Sequence, residues 1–143
     1  MKSIALRFSE KFSPASGTIR EHEKLIEQYG FVWYGKMGTA VSPGYIAEVL
    51  NNEEPRILLI HSGGIDRYWA YITEASSIQP ERQYIPEYYR SMADKFHFWF
   101  KIVKITKADR DIMSRCIVSS SKSTLSNASK YSMSPYFKID VPE

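Results

Sequence analysis

Residues 56–76 read R-I-L-L-I-H-S-G-G-I-D-R-Y-W-A-Y-I-T-E-A-S. Arg56 to His61 is nearly all apolar, which predicts a strand covered on both faces. Ser62-Gly63-Gly64 then turns the chain, and Arg67 to Ser76 returns as the second arm of a hairpin. In that arm Tyr68, Ala70 and Ile72 point one way, while Arg67, Trp69 and Tyr71 point the other. Strands that follow one another this directly imply antiparallel pairing.

Working outward, Phe31 to Gly38 (F-V-W-Y-G-K-M-G) reads as another strand, Phe31 to Gly35, with Trp33 and Tyr34 beside the cation Lys36. Aromatic faces, a positive charge and glycine-permitted backbone access suit a flat, polar, anionic-backed ligand such as a nucleotide. Before it lie a strand from Lys2 to Phe8 and a T-x-x-E capping box, Thr18 with Glu21, that opens a helix running to Tyr29. Ile19, His22, Ile26 and Tyr29 share its apolar face, so His22 reads as a packed residue, and Gly30 is its stop. Ser42-Pro43 starts a second helix that buries Tyr45, Ile46, Val49 and Leu50.

Beyond the hairpin, Gln79 to Arg90 is a tyrosine-rich loop or short helical turn with two prolines. Phe96 to Ile105 is the longest strand, with Phe96, Phe98, Phe100 and Ile102 on one face and His97, Trp99, Lys101 and Val103 on the other. A short helix from about Ala108 to Ser114 precedes a tract, Ser114 to Ser134, with nine serines among 21 residues, and Tyr136 to Val141 is a last strand. Six or seven strands and three or four short helices, without a βαβ rhythm, give an α+β fold: a largely antiparallel β-barrel flanked by short helices. Residues 1–143 form one domain on this reading.

Composition narrows the function. No apolar run approaches the roughly 20 residues of a membrane helix, and Arg7 interrupts the opening run, against a signal peptide and against any membrane partner. One cysteine, Cys116, leaves no internal disulfide, fits a reducing cytoplasm and reads as a buried small residue. The net charge is +3, but residues 95–138 hold nine basic and two acidic side chains, a local excess of +7. No phosphate loop, metal-ligand spacing or catalytic triad motif is present, so no cofactor and no metal are called for. What remains is Trp33, Trp69 and Trp99 on three strands, which a small barrel would bring together as walls for a flat ligand.

The order of these motifs resembles the EVE family of the PUA-like superfamily, relatives of YTH and ASCH domains. The resemblance covers residues 31–105 and rests on Trp33-Tyr34-Gly35-Lys36 as W-x-x-K, and on Ile60-His61-Ser62 as the close of a middle strand. About 30 residues precede the first motif where such domains begin almost at once, Ile60 replaces the usual aromatic, and the segment before the middle strand is short. Ser132 to Phe137 (S-M-S-P-Y-F) looks like a bacterial subgroup that includes domains fused to McrB-type nucleases.

The resemblance implies a PUA-like barrel that reads a modified base of DNA or RNA, flipped into an aromatic pocket, with a partner nuclease in the subgroup. Trp33 would be a wall, Tyr34 its neighbour, Lys36 a polar or phosphate contact, and His61 and Ser62 the floor. From the residues themselves come Trp99 or Trp69 as the second wall and Lys101, Lys104, Lys122 and Lys130 as backbone contacts. Two rival readings follow. One is a small hydrolase or nuclease on an ASCH-like scaffold, needing Glu74 or His61 beside Lys36; the other is a protein-interaction adaptor of a phage or defence system.

Overall fold

The computed structural model describes residues 1–61 and 64–142. Seven strands make one mixed sheet: β1 (Lys2–Arg7), β2 (Val32–Lys36), β3 (Arg56–Ile60), β4 (Tyr68–Ser76), β5 (Phe98–Lys107), β6 (Ile117–Val118) and β7 (Tyr136–Asp140). Their order across the sheet is β2-β5-β4-β3-β1-β7-β6. Every pairing is antiparallel except β1 with β3, where Ala5 faces Leu58 and Arg7 faces Ile60. The α+β reading, its six or seven strands and its antiparallel bias therefore hold, but the strands do not close into a barrel. The sheet is not closed: β2 and β6 are its edges.

The apolar run in β3 does what its composition requires. Ile57 and Leu59 pack into a core on one face with Ile4, Leu6, Ala70, Ile72 and Phe100. Leu58 and Ile60 pack into a second core on the other, with Trp69, Phe137 and Ile139. Each such side chain contributes about 1.5–3 kcal/mol by leaving water. The first core is roofed by α1 (Thr18–Tyr29) and α2 (Pro43–Leu50). The second is closed by α3 (Ile112–Arg115) and α4 (Leu125–Tyr131), which bring Ile112, Met113 and Leu125 to it. Cys116 lies in this second core, fully buried, with its thiol pushed up to about 11 by burial.

Three local departures from pattern matter. In β5 strict alternation would put Lys104 on the face of Phe100 and Ile102, but the register passes from Tyr71–Lys104 to Ile72–Ile102. Val103 is the extra residue of a bulge, so Ile105 packs on the first core and Lys104 lies opposite Tyr71. The capping box does not form: Gly17 precedes the helix, and the Thr18 amide is taken by the Glu10 carboxylate at 3.1 and 3.2 Å. Within the serine tract, Leu125 is buried while Thr124 Oγ1 accepts the Asn127 amide at 3.1 Å, which starts a helix in what reads as loop.

Candidate functional site

A cavity of about 290 Å³ opens where the end of β1, the first turn of α1, β2 and the 3₁₀ segment Glu87–Lys95 converge. Its walls carry six phenyl or phenol rings, Phe8, Phe12, Tyr34, Tyr88, Tyr89 and Phe96, besides the His22 imidazole. Phe8 extends β1 by one hydrogen bond, its amide donating to the Ile60 carbonyl at 2.9 Å. Its ring stacks on His61 at 5.1 Å. Tyr34 sits mid-strand in β2 opposite Phe100, which fixes where its ring points.

The tyrosine pair is delivered by Ile85-Pro86, after which the chain coils as a 3₁₀ helix. Tyr88 meets Tyr89 edge-on at 4.9 Å, Tyr89 meets Phe96 at 5.2 Å, and Phe96 meets Trp99 at 5.4 Å. Such edge-to-face contacts add about 0.5–1.5 kcal/mol each beyond burial. They run from the cavity wall to an enclosed tryptophan, so the wall is braced from behind.

Polar groups in the cavity are mostly committed to one another. His22 is 1 % exposed, with Nδ1 2.8 Å from the Thr18 carbonyl oxygen and Nε2 2.8 Å from the Tyr89 hydroxyl. A carbonyl only accepts, so Nδ1 carries the proton, and the single proton of the Tyr89 hydroxyl is shared between two acceptors, His22 Nε2 and the Trp33 carbonyl oxygen at 3.1 Å. Burial pushes the imidazole down to about 4, hence neutral. Tyr88 donates to Thr18 Oγ1 at 3.2 Å, and burial pushes its phenol up to about 12.

Tyr34 is the exception. It is 7 % exposed, lines the cavity, and its hydroxyl has no hydrogen-bond partner among the described residues. Burial, then the neighbouring Tyr88, raise its pKa, so the hydroxyl keeps its proton.

Lys36 also lines the cavity but is 3 % exposed. Its ammonium donates to the carbonyls of Met37 and Thr39 and lies 4.2 Å above the Tyr136 ring. Gly38, at φ +81°, lets the turn fold back around it. Desolvation lowers its pKa. This is an internal clamp on a turn rather than a solvent-facing phosphate contact, which corrects the expectation drawn from W-x-x-K.

None of the three tryptophans expected as walls lines this cavity. Trp99 has no exposure and supports the Tyr89–Phe96 wall from behind, so it offers no face to a ligand. Trp69 is buried in the second core, on the far side of the sheet, beneath the Arg56 guanidinium. Trp33 alternates with Tyr34, so it turns away from the first core and packs, half-buried, against the cluster of Trp99 and Tyr89. His61 does not line the cavity; its ring stacks on Phe8, which does. Ser62 lies outside the described residues.

Of the lysines, Lys101 pairs with Glu74 at 3.1 Å and lies over Phe31, and Lys104 lies over Tyr71. Glu74 is thus engaged away from Lys36. Lys122 and Lys130 are exposed in segments bordering a wider, hydroxyl-rich groove that shares Pro135 with the first cavity.

Sequence reasoning therefore reached Tyr34 and Lys36 but missed the rings that complete the cavity. The run Ile85-Pro86-Glu87-Tyr88-Tyr89 carried a signal: two adjacent tyrosines after a proline, outside any strand, need a reason to be ordered. Phe8 and Phe12 gave none, since their roles depend on where β1 ends. Among the described residues no helix is long and apolar enough to cross a membrane. Compared with known proteins, the chain matches the Pua-like family model over residues 4–139. No curated protein and no solved structure gives a match.

Proposed function

The chain belongs to the Pua-like family, and from that premise we propose that it binds nucleic acid by taking a modified base into the six-ring cavity beside β2. The observation that carries this reading is the cavity itself, with rings on several sides and one unengaged hydroxyl inside. Extruding a base from a stack costs a few kcal/mol. Stacking returns roughly 1–3 kcal/mol per aromatic contact. A methyl placed against Met37 or Met92, both in the lining, adds about 0.8 kcal/mol by burial.

Phe12, 58 % exposed, and Tyr88 are the stacking surfaces; Tyr34 reads the base edge; Lys122 and Lys130, on the segments beside the adjoining groove, meet the backbone. The W-x-x-K and His-Ser order, with Ser132 to Phe137, supports the EVE branch and a nuclease partner that acts where this domain binds.

The test is titration of short oligonucleotides identical except for one modified base. Phe12→Ala and Tyr88→Ala should each weaken binding of the modified strand by roughly 1–3 kcal/mol. Trp33→Ala should act mainly through stability. Wild-type affinity in both cavity variants would remove this site from consideration.

A further inference from the structure

We infer that the cavity admits an uncharged modified base and refuses one that is cationic at neutral pH, with the Tyr34 hydroxyl donating to an acceptor on the base edge. The inference rests on the base-reader reading above. A ring-lined cavity is ordinarily attractive to cations, because aromatic faces are electron-rich. Here the lining also includes Arg7, Lys36 and Lys95, and no Asp or Glu among the described residues.

The Lys36 ammonium is held by neutral carbonyls, of Met37 and Thr39, which leave its charge in place. Two carboxylates stand behind the cavity and act through space on His22 and Tyr88, but both are engaged: Glu10 accepts the Thr18 amide and, at 2.9 Å, the Ser13 hydroxyl, and Glu21 pairs with Lys24. A charged base would enter a partly desolvated space against the like charges of Lys36 and Lys95, where screening is weak.

Hydrogen bonding points the same way. Tyr34 is the lining hydroxyl left without a protein partner, whereas Thr18, Tyr88, Tyr89 and His22 satisfy one another. The hydroxyl opens onto the cavity, so an acceptor on the ligand can take its proton in place of water. Alkylating a ring nitrogen to make a cationic base removes a lone pair from that edge as it adds charge. Both features then count against the same class of ligand.

The experiment compares two isomeric bases, N6-methyladenine (neutral) and N1-methyladenine (cationic), each at the centre of the same pentanucleotide, with unmodified adenine as control. Wild type should prefer the neutral isomer by at least about tenfold. Lys95→Glu, a change at an exposed position, should narrow that gap by bringing a negative charge to the rim. Tyr34→Phe should weaken the neutral isomer about tenfold while leaving the urea midpoint in place.

Equal binding of the two isomers, or a gap that Lys95→Glu does not move, or full affinity in Tyr34→Phe, overturns the inference while the base-reader reading stands. If neither modified strand binds better than the control, that reading falls and takes the inference with it.

Discussion

His22 shows how a single buried group sets a pH limit. Its imidazole ordinarily titrates at 6.5 and is held down to about 4 in the fold, chiefly by desolvation. As pH falls through 6.5 the unfolded chain takes up a proton while the folded one does not, so acidification favours unfolding. The loss should reach about 3 kcal/mol by pH 4, read as the change in urea unfolding free energy. His22→Gln should be less stable overall but show a flatter slope over that window. Glu27 and Asp140, held low chiefly by Arg20 and Lys2, titrate alike in both proteins and cancel in the difference, whereas Glu21, held low chiefly by Lys24, also feels His22 and contributes a smaller part of it. A second residue-level test uses Gly35. A Cβ there would lie 2.7 Å from Phe96 Cγ and 3.0 Å from Trp99 Cζ3, so Gly35→Ala must displace the braced wall. A cost of about 1–3 kcal/mol is expected, with a loss of ligand affinity beyond what stability explains.

At the level of elements, the stretch from α4 to β7 is secured by one side chain. Arg7 donates from Nε to the Ser134 carbonyl at 3.0 Å and from Nη2 to those of Ser129 and Ser132, each at 2.8 Å. Arg7→Met should accelerate amide hydrogen exchange across residues 128–136 and leave the β3–β4 amides protected; equal acceleration in both would mean a global effect instead. Several elements were legible beforehand for a simple reason. Periodicity reports which side is buried, so the two faces of β4 and the doubly covered β3 could be read from Tyr68 to Ile72 and from Ile57 to Ile60. What periodicity cannot report is a change of phase. Val103 inserts one residue, and Lys104 exchanges faces with Ile105. Nor does composition reveal that Thr124 and Leu125 suffice to nucleate a helix in a serine-dense tract, since serine itself favours turns. The cavity was half legible: Tyr34 stands on a strand that could be read, while Tyr88 and Phe12 stand on segments with no period.

For the molecule as a whole, charge is divided unevenly, with the +7 excess of residues 95–138 spread over β5, α3, α4 and β7. If Lys122 and Lys130 meet phosphates, binding should weaken steeply with salt, and removing both should reduce the log–log salt slope by about 1.4–1.8. A slope unchanged in Lys122→Ala/Lys130→Ala would move the backbone track elsewhere, toward Lys104 and Lys95. The placement of β1 has a consequence in time. It lies between β3 and β7, with Ala5 against Leu58 on one side and Phe137 on the other. β1, synthesised long before β7, thus waits for it before its second edge is filled, and contacts this distant in sequence form slowly. A nascent chain arrested before Tyr136 would hold an apolar strand with an open margin, a template for intermolecular pairing. Chaperone occupancy on such arrested chains should persist until β7 is synthesised and then drop in a single step.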